Sequence, residues 1–367
     1  MERRLSFIRK MRLVTIGLAI TFIFIVNAIW IPSIKRIFLP HEDGQMPLPE
    51  GRALSNLVVF GDSYSDQYNN YNALNDLEGY VSPPVGRNSG GRNWVDYLNE
   101  TLRNTNIINL AYGGATVDVV CTTYHWTLLS LLINTYQPFF LFWKKNLIPT
   151  YAPDKLPGVK QEVDQFFSRY RDPGSGRLLL DNSKTLYVVW IGHNDMIRTY
   201  PVVPWGRKVT VDEISDSLFA SLGRLYSAGA RHFMLLDTAP MDRTPEYSRN
   251  DQVEALRART KQLNQAWAKK FSSFVLSHPL VLSAEIFPAY DLVEQAATNA
   301  TFRAILGIKE VSQPCCKGYS DLPPCPVTPC ARPLEYLYWN GMHPGARFHH
   351  ILSSALKSEW AYRGWQF

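Results

Sequence analysis

The sequence VVFGDSYSD at residues 58–66 passes from β-branched and aromatic residues to a glycine and then to polar residues. This pattern predicts a buried strand that ends at Gly61, followed by a polar turn. In an open α/β sheet, sites form outside the carboxyl ends of the strands, so Ser63 is expected to be exposed at such a site. A serine hydroxyl is a poor nucleophile without a base, so a histidine must come from elsewhere. The alternative is that Ser63 only caps a following helix.

Further short apolar runs follow at wide spacing, and longer stretches with helical character separate them. The predicted strands are Leu57–Phe60, Ile107–Leu110, Leu186–Ile191, His232–Leu236 and Leu280–Leu282, and the longer helices are Val211–Ala228 and Gln252–Leu276. Strands that alternate with helices indicate βαβ units, a parallel sheet and helices on both of its faces. We interpret residues 54–367 as one domain of this kind.

Two more predicted strands end in glycine and polar residues. NLAYGGAT at residues 109–116 offers glycines that let the backbone approach a ligand and present an N–H group, although a simple tight turn would look the same. VVWIGHND at residues 188–195 places Asn194 where its amide can donate to a developing oxyanion. His193 should point another way, and we interpret it as structural or as a substrate contact.

A fourth block, YWNGMHPG at residues 338–345, supplies the histidine. His343 precedes a predicted helix over Ala346–Trp360 and lies in a loop that can face the strand ends, so it is the best candidate for a general base. His349 and His350 fall inside that helix, and we expect them to be structural.

Together, the four blocks resemble the GDSL/SGNH hydrolase family over residues 55–355, and most closely the branch that includes fungal-type carbohydrate acetylesterases and GDSL lipases. The resemblance implies a flavodoxin-like three-layer α/β/α sandwich with a mainly parallel sheet. It also implies ester hydrolysis without a metal or another cofactor.

The resemblance also assigns roles to residues of this chain. It implies that Ser63 is the nucleophile and His343 the general base. The implied oxyanion hole consists of the Ser63 N–H, the Gly114 N–H and the Asn194 side chain. Gly114 is chosen over its neighbour because the family's glycine precedes the small residue–Thr pair.

Asn340 departs from the family pattern, which has an aspartate three residues before the histidine. Three hypotheses remain open. Asn340 or a backbone carbonyl orients His343 in a Ser–His dyad, another acid such as Glu335 or Asp321 substitutes, or the Asn340-Gly341 pair deamidates to aspartate.

The N-terminal segment carries the whole charge imbalance of the chain. Of its 38 basic and 32 acidic residues, seven basic and one acidic residue lie in the first forty positions, so the remainder has no net charge. A nucleic-acid-binding domain should carry a basic excess of its own, so we expect no nucleic-acid partner.

The same segment contains an uncharged apolar run of 19 residues, Leu13–Ile31. Its length suffices to span a bilayer, and the preceding basic residues place the N-terminus in the cytosol. Residues 1–31 are therefore predicted to be a tail and signal anchor, and 32–53 a proline-rich stalk. The alternative is a signal peptide cleaved near Ala28. Either interpretation sends the domain into the secretory pathway, as a single-pass membrane protein with its catalytic domain outside the cytosol or as a secreted one.

The cysteines and glycosylation sequons suit that compartment. Four cysteines fall within sixteen residues, namely Cys315, Cys316, Cys325 and Cys330, and Cys121 stands apart. This crowding favours one or two disulfides, with a zinc site as the rival. Sequons begin at Asn99 and Asn299.

The segment at 122–153 is rich in aromatic residues and predicts either a packed hydrophobic element or a flap over a cleft or membrane surface. The leading functional prediction is an esterase that removes acetyl groups from carbohydrate. A lipase or lysophospholipase, a catalytically weakened binding protein and an O-acyltransferase are the alternatives.

Overall fold

The structure is a computed structural model that describes residues 51–67, 69, 87–118, 156–199, 208–249, 251–317 and 329–367. The predicted anchor, stalk and aromatic segment lie outside these residues, apart from the last stalk positions. Within the described ranges, no helix is long and apolar enough to cross a membrane. The domain boundaries stay a prediction, although the first strand already begins at Arg52, inside the predicted stalk.

The centre of the described structure is a five-stranded parallel sheet. The strands of the described residues are β1 (Arg52–Ala53), β2 (Asn56–Gly61), β3 (Asn106–Asn109), β4 (Thr185–Trp190), β5 (His232–Leu236), β6 (Ser283–Phe287) and β7 (Trp365–Gln366). The central sheet has the order β3-β2-β4-β5-β6, and β1 pairs separately with β7. Leaving β1 aside, this is the 2-1-3-4-5 order of flavodoxin-like sheets, and the prediction of a parallel α/β sheet is confirmed.

Helices connect these strands. They are α1 (Trp94–Thr101), α2 (Val159–Tyr170), α3 (His193–Arg198), α4 (Val211–Ala228), α5 (Val253–Ser277), α6 (Ala289–Thr298), α7 (Ala300–Leu306) and α8 (Ala346–Tyr362). Short 3₁₀ turns occupy Met241–Arg243 and Pro333–Glu335. The start of α4 shows why the sequence predicted it well: the Thr210 hydroxyl accepts from the Glu213 N–H, and the Glu213 carboxylate accepts from the Thr210 N–H.

The helices cover both faces of the sheet. In β5, the Phe233 ring meets Phe274 of α5 edge-on at 5.4 Å, whereas the next side chain, Met234, accepts from Trp360 Nε1 of α8 at 3.1 Å. Successive side chains of a strand point to opposite faces, so α5 and α8 lie on opposite sides. The described part of the chain is therefore a three-layer sandwich.

The prediction of a strand at Leu280–Leu282 is wrong. Leu280 and Leu282 are 58 % and 62 % exposed, in the turn after α5, and the strand begins only at Ser283. This strand lies at the edge of the sheet and is mostly half-buried. It therefore lacks the continuous apolar pattern that is typical of the central strands. The apolar residues just before it were predicted as the strand instead.

A disulfide joins Cys315 to Cys330, and Cys316 is disulfide-bonded as well. The prediction of disulfides is confirmed, and these bonds take up three of the four thiols that a zinc site would need. Cys121 and Cys325 lie outside the described residues. Glycosylation stays a prediction; Asn99 is exposed on α1, while the Asn299 side chain caps α7 by accepting from the Phe302 N–H at 3.1 Å.

Candidate active site

Ser63 lies in a tight turn at the carboxyl end of β2. The Asp62 carbonyl accepts from the Ser65 and Asp66 N–H groups, both at 2.9 Å, which closes the turn. The turn begins at Gly61, where φ is +151° and an added Cβ would lie 2.2 Å from the Trp190 carbonyl of the adjacent β4. A side chain at this position would push the strands apart. The resulting turn leaves Ser63 partly exposed, while its sequence neighbours are buried.

His343 meets this serine from the other end of the chain. Its Nε2 lies 2.7 Å from Ser63 Oγ, and its Nδ1 lies 2.9 Å from Asn340 Oδ1. The histidine and the asparagine are only 4 % and 5 % exposed. The structure therefore brings the three predicted residues together in one hydrogen-bonded row.

The backbone around Asn340 decides which end of its amide faces the histidine. Asn340 Oδ1 accepts from the Met342 N–H at 3.0 Å and from the His343 N–H at 2.8 Å. Only the oxygen can accept these bonds, so the oxygen also faces Nδ1. Nδ1 must then carry the proton and donate it. Nε2 keeps its lone pair and accepts from the Ser63 hydroxyl, as a general base must.

Burial keeps the base uncharged. Removal from water, followed by the nearby His193 and His349, lowers the pKa of His343 to about 3. The Asn340 amide brings no opposite charge that would raise this pKa. His343 is therefore neutral, and able to accept a proton, over the whole physiological pH range.

Of the two substitute acids proposed from the sequence, Glu335 has no hydrogen bond to His343 in the described structure. Glu335 forms ion pairs with Lys309 at 2.8 Å and with Arg332 at 3.4 Å instead. Asp321 lies outside the described residues. His349 is buried inside α8 and His350 is exposed on it, and neither hydrogen-bonds to Ser63 or His343 in the described structure.

The loop after β3 is held by side chains from its neighbours. The Gly113 N–H donates to Asp66 Oδ2 at 2.7 Å, Arg198 Nη1 donates to the Gly114 carbonyl at 2.8 Å, and Asn194 Nδ2 donates to the Ala115 carbonyl at 2.9 Å. Gly114 has φ +86°, which favours glycine.

Three hydrogen-bond donors near Ser63 are not used by these bonds and remain available to a ligand. Among the described residues, neither the Gly114 N–H nor the Ser63 N–H has a hydrogen-bond partner. Asn194 Nδ2 carries a second hydrogen beyond the one it gives to Ala115. These are the three donors predicted for an oxyanion hole. They stand at the carboxyl ends of the adjacent strands β3, β2 and β4.

Asp195, next to Asn194, fixes the far end of the same loop. Both of its carboxyl oxygens lie 3.2 Å from the Val117 N–H. Burial raises the pKa of this carboxyl to about 7, because an ionised group here would lose its hydration. Sequence reasoning missed Asp66 and Asp195 as supports, since a single aspartate gives no signal of its partner.

We expect the disulfide segment to stabilise the histidine turn. The Cys315 and Cys316 N–H groups donate to the Tyr338 and Trp339 carbonyls at 3.1 and 2.7 Å, directly before Asn340. Replacing both Cys315 and Cys330 by serine removes a link across 15 residues. The free energy of unfolding should fall by about 3 kcal/mol, as measured by urea denaturation. An unchanged unfolding midpoint would contradict this expectation.

Comparison with known proteins agrees with this geometry. The GDSL-like Lipase/Acylhydrolase family matches residues 57–356. The chain belongs to this family. This member is accordingly a serine esterase, an enzyme that hydrolyses ester bonds.

Among its GDSL relatives, an acetylesterase of Thermothelomyces thermophilus is 26 % identical over 316 residues, which cover 83 % of this chain and 87 % of that protein. A GDSL esterase/lipase of Arabidopsis thaliana is 24 % identical and covers 81 % of this chain and 85 % of its own length. Of the solved structures, Est24, a carbohydrate acetylesterase from Sinorhizobium meliloti, is 13 % identical with a TM-score of 0.43, covering 84 % of this chain and 98 % of that chain.

Proposed function

We propose that this esterase is a carbohydrate O-acetylesterase of the secretory pathway. The hydrogen-bonded row Ser63–His343–Asn340 carries the proposal of a serine mechanism. The name of the acetylesterase from Thermothelomyces thermophilus supports the acetyl group as the acyl part. The predicted anchor or signal peptide supports the compartment.

The proposed reaction has two halves. His343 Nε2 takes the Ser63 proton while Oγ attacks the acetyl carbonyl carbon. The oxyanion accepts from the Ser63 N–H, the Gly114 N–H and Asn194 Nδ2, each typically contributing about 3–4 kcal/mol to barrier lowering. As the intermediate collapses, the bond between the acetyl carbonyl carbon and the sugar oxygen breaks, and His343 donates its proton to that oxygen, which leaves as the sugar hydroxyl. Water then attacks the acetyl-enzyme by the same route and releases acetate.

The imidazolium formed in each half faces a neutral amide. A carboxylate would stabilise that charge directly, whereas Asn340 offers only its oxygen as an acceptor. The proposed enzyme is therefore expected to turn over more slowly than a relative with aspartate at this position, but with the correct tautomer.

The substrate class can be tested with the full chain produced in a secretory host. Hydrolysis of p-nitrophenyl acetate, acetylated xylo-oligosaccharides, p-nitrophenyl palmitate and lysophosphatidylcholine would be compared, with Ser63→Ala as the background. We expect kcat/KM for acetate to exceed that for palmitate by about 100-fold or more, because a pocket built for acetyl cannot hold a long chain.

The other outcomes separate the alternatives. Faster release from palmitate or lysophosphatidylcholine would indicate a lipase. Transfer of acetyl to an added alcohol in preference to water would indicate an acyltransferase. A folded protein that cleaves none of these esters above the Ser63→Ala background would favour a binding role.

A further inference from the structure

A buried Asp–His pair lies beside the catalytic row. His193 Nδ1 is 2.7 Å from Asp62 Oδ2, and the Ala239 N–H donates to His193 Nε2 at 3.2 Å. Because Nε2 accepts that bond, the proton of His193 sits on Nδ1 and is donated to Asp62. Both ring nitrogens are thus bonded within the protein. His193 is held in place and is not a second base.

Tyr64 packs on this pair. Its ring stacks on the His193 ring with centroids 4.1 Å apart and planes 25° apart, and its backbone N–H donates to Asp62 Oδ1 at 3.1 Å. The edge of Trp190 closes another side at 5.1 Å. Tyr64 is only 3 % exposed, so the surrounding side chains restrict its ring.

The hydroxyl of Tyr64 reaches the turn that carries the base. Tyr64 Oη donates to the Met342 carbonyl at 2.6 Å, and the Tyr64 and His343 ring centroids are 5.6 Å apart. Tyr64 follows the nucleophile in sequence, and Met342 precedes the base. One side chain thus ties together the two turns whose separation sets the Ser63–His343 distance.

This tie matters more here than it would beside a carboxylate. An aspartate would attract a charged imidazole through a long-range Coulomb force, whereas the Asn340 amide acts only through a directional hydrogen bond. The position of the His343 ring therefore depends on packing and on the bonds of its turn. An error of about 1 Å in such a position can lower the rate about 100-fold.

We propose that Tyr64, itself held by the Asp62–His193 pair, is a positioning residue that sets the distance between nucleophile and base. The inference rests on the proposed serine mechanism. It adds to that mechanism a specific side chain that acts through the turn of His343 and takes no part in proton transfer.

Tyr64→Phe tests the inference, because it keeps the ring and removes the bond to the Met342 carbonyl. Tyr187→Phe is the matched control: Tyr187 is a buried tyrosine of β4 whose hydroxyl bonds to Asn182 at 3.3 Å, at the opposite end of the strand. In the full chain, kcat and KM for p-nitrophenyl acetate would be measured. The rate at which phenylmethylsulfonyl fluoride labels Ser63 would also be measured, by mass spectrometry. The labelling reaction would be run well below the Tm of each variant.

We expect Tyr64→Phe to lower kcat and the labelling rate by about 10- to 100-fold, with KM within about twofold of wild type. Tyr187→Phe should leave both rates within about twofold. In an Asn340→Asp background the loss should shrink to about threefold, because the carboxylate then holds the base by charge. A purely structural role for Tyr64 would not produce this dependence on residue 340.

The outcomes distinguish failure of the positioning role of Tyr64 from failure of the proposed serine mechanism. If wild-type Ser63 is labelled and Tyr64→Phe is labelled at the same rate, the positioning role is wrong and the serine mechanism stands. An equal loss in both residue-340 backgrounds would also overturn the positioning role. If wild-type Ser63 is not labelled at all, the serine mechanism fails and the positioning role fails with it.

Discussion

Asn340→Asp is expected to raise kcat/KM at pH 8 by about 100-fold. In a serine protease, the reverse change from Asp to Asn lowers kcat about 10⁴-fold, largely through the wrong histidine tautomer. Here the Met342 and His343 N–H groups already hold the Asn340 oxygen toward Nδ1, so the tautomer is correct. Only the charge is missing, and its restoration should give a smaller gain than that full factor.

At low pH the same variant should lose kcat/KM, in contrast to its gain at pH 8. The base is active when neutral, and the His343 pKa of about 3 keeps it neutral down to about pH 4 in the wild type. A carboxylate next to Nδ1 raises that pKa, typically by about 1–3 pH units. The variant should therefore lose activity as the pH falls through the raised value, while the wild type keeps its lower activity there.

The measurement is kcat/KM for p-nitrophenyl acetate between pH 4 and pH 9, with Glu335→Gln as the control. Glu335 is paired with Lys309, and its neutralisation should leave the profile unchanged. If Glu335→Gln abolished activity, that carboxylate would be acting on the base and the neutral-amide interpretation would be wrong. Mass spectrometry of the peptide that contains Asn340 shows whether the active wild type has deamidated. If the wild-type peptide has the mass of aspartate at residue 340, wild type and Asn340→Asp should have the same pH profile.

Asn194→Ala is expected to lower kcat by about 10²- to 10³-fold, with little change in KM. This is the usual cost of removing one donor that strengthens as the oxyanion forms. Asn194 is 4 % exposed, and one of its N–H groups is already engaged with the Ala115 carbonyl. The substitution removes both that support and the free donor.

A matched substitution separates the two effects. Asn56→Ala removes an asparagine amide that bonds to Thr185 Oγ1 at 3.1 Å, at the amino end of the sheet. Both variants should lose comparable stability in urea, but only Asn194→Ala should lose kcat. A rise in KM with kcat retained would instead place Asn194 in ground-state binding.

The sequence predicted those parts of the fold in which local pattern and burial agree. Val211–Ala228 was predicted as a helix with the observed ends, because its apolar spacing is helical and the capping residues Thr210 and Gly229 flank it directly. The edge strand β6 was misplaced, because half-buried edge residues are less apolar than the exposed leucines that precede them.

At the site, the four sequence blocks predicted Ser63, His343, Gly114 and Asn194 as functional residues. Each of them follows a strand or lies in a loop near the strand ends. The sequence could not predict the contacts between those loops. The orientation of the Asn340 amide depends on two backbone N–H groups, and the tie from Tyr64 to Met342 joins residues 278 positions apart. Such bonds appear only when the backbone is placed in three dimensions.

The pairing of β1 with β7 has a consequence for the orientation of the enzyme. Arg52 pairs with Trp365, and its guanidinium lies 3.4 Å from the first residue of β5, His232. Arg52 thus lies at the amino ends of the strands, whereas Ser63 lies beyond the carboxyl end of β2. A strand of this length spans roughly 20 Å. We propose that a tether through the predicted N-terminal anchor would hold the domain at this amino end, on the side away from Ser63.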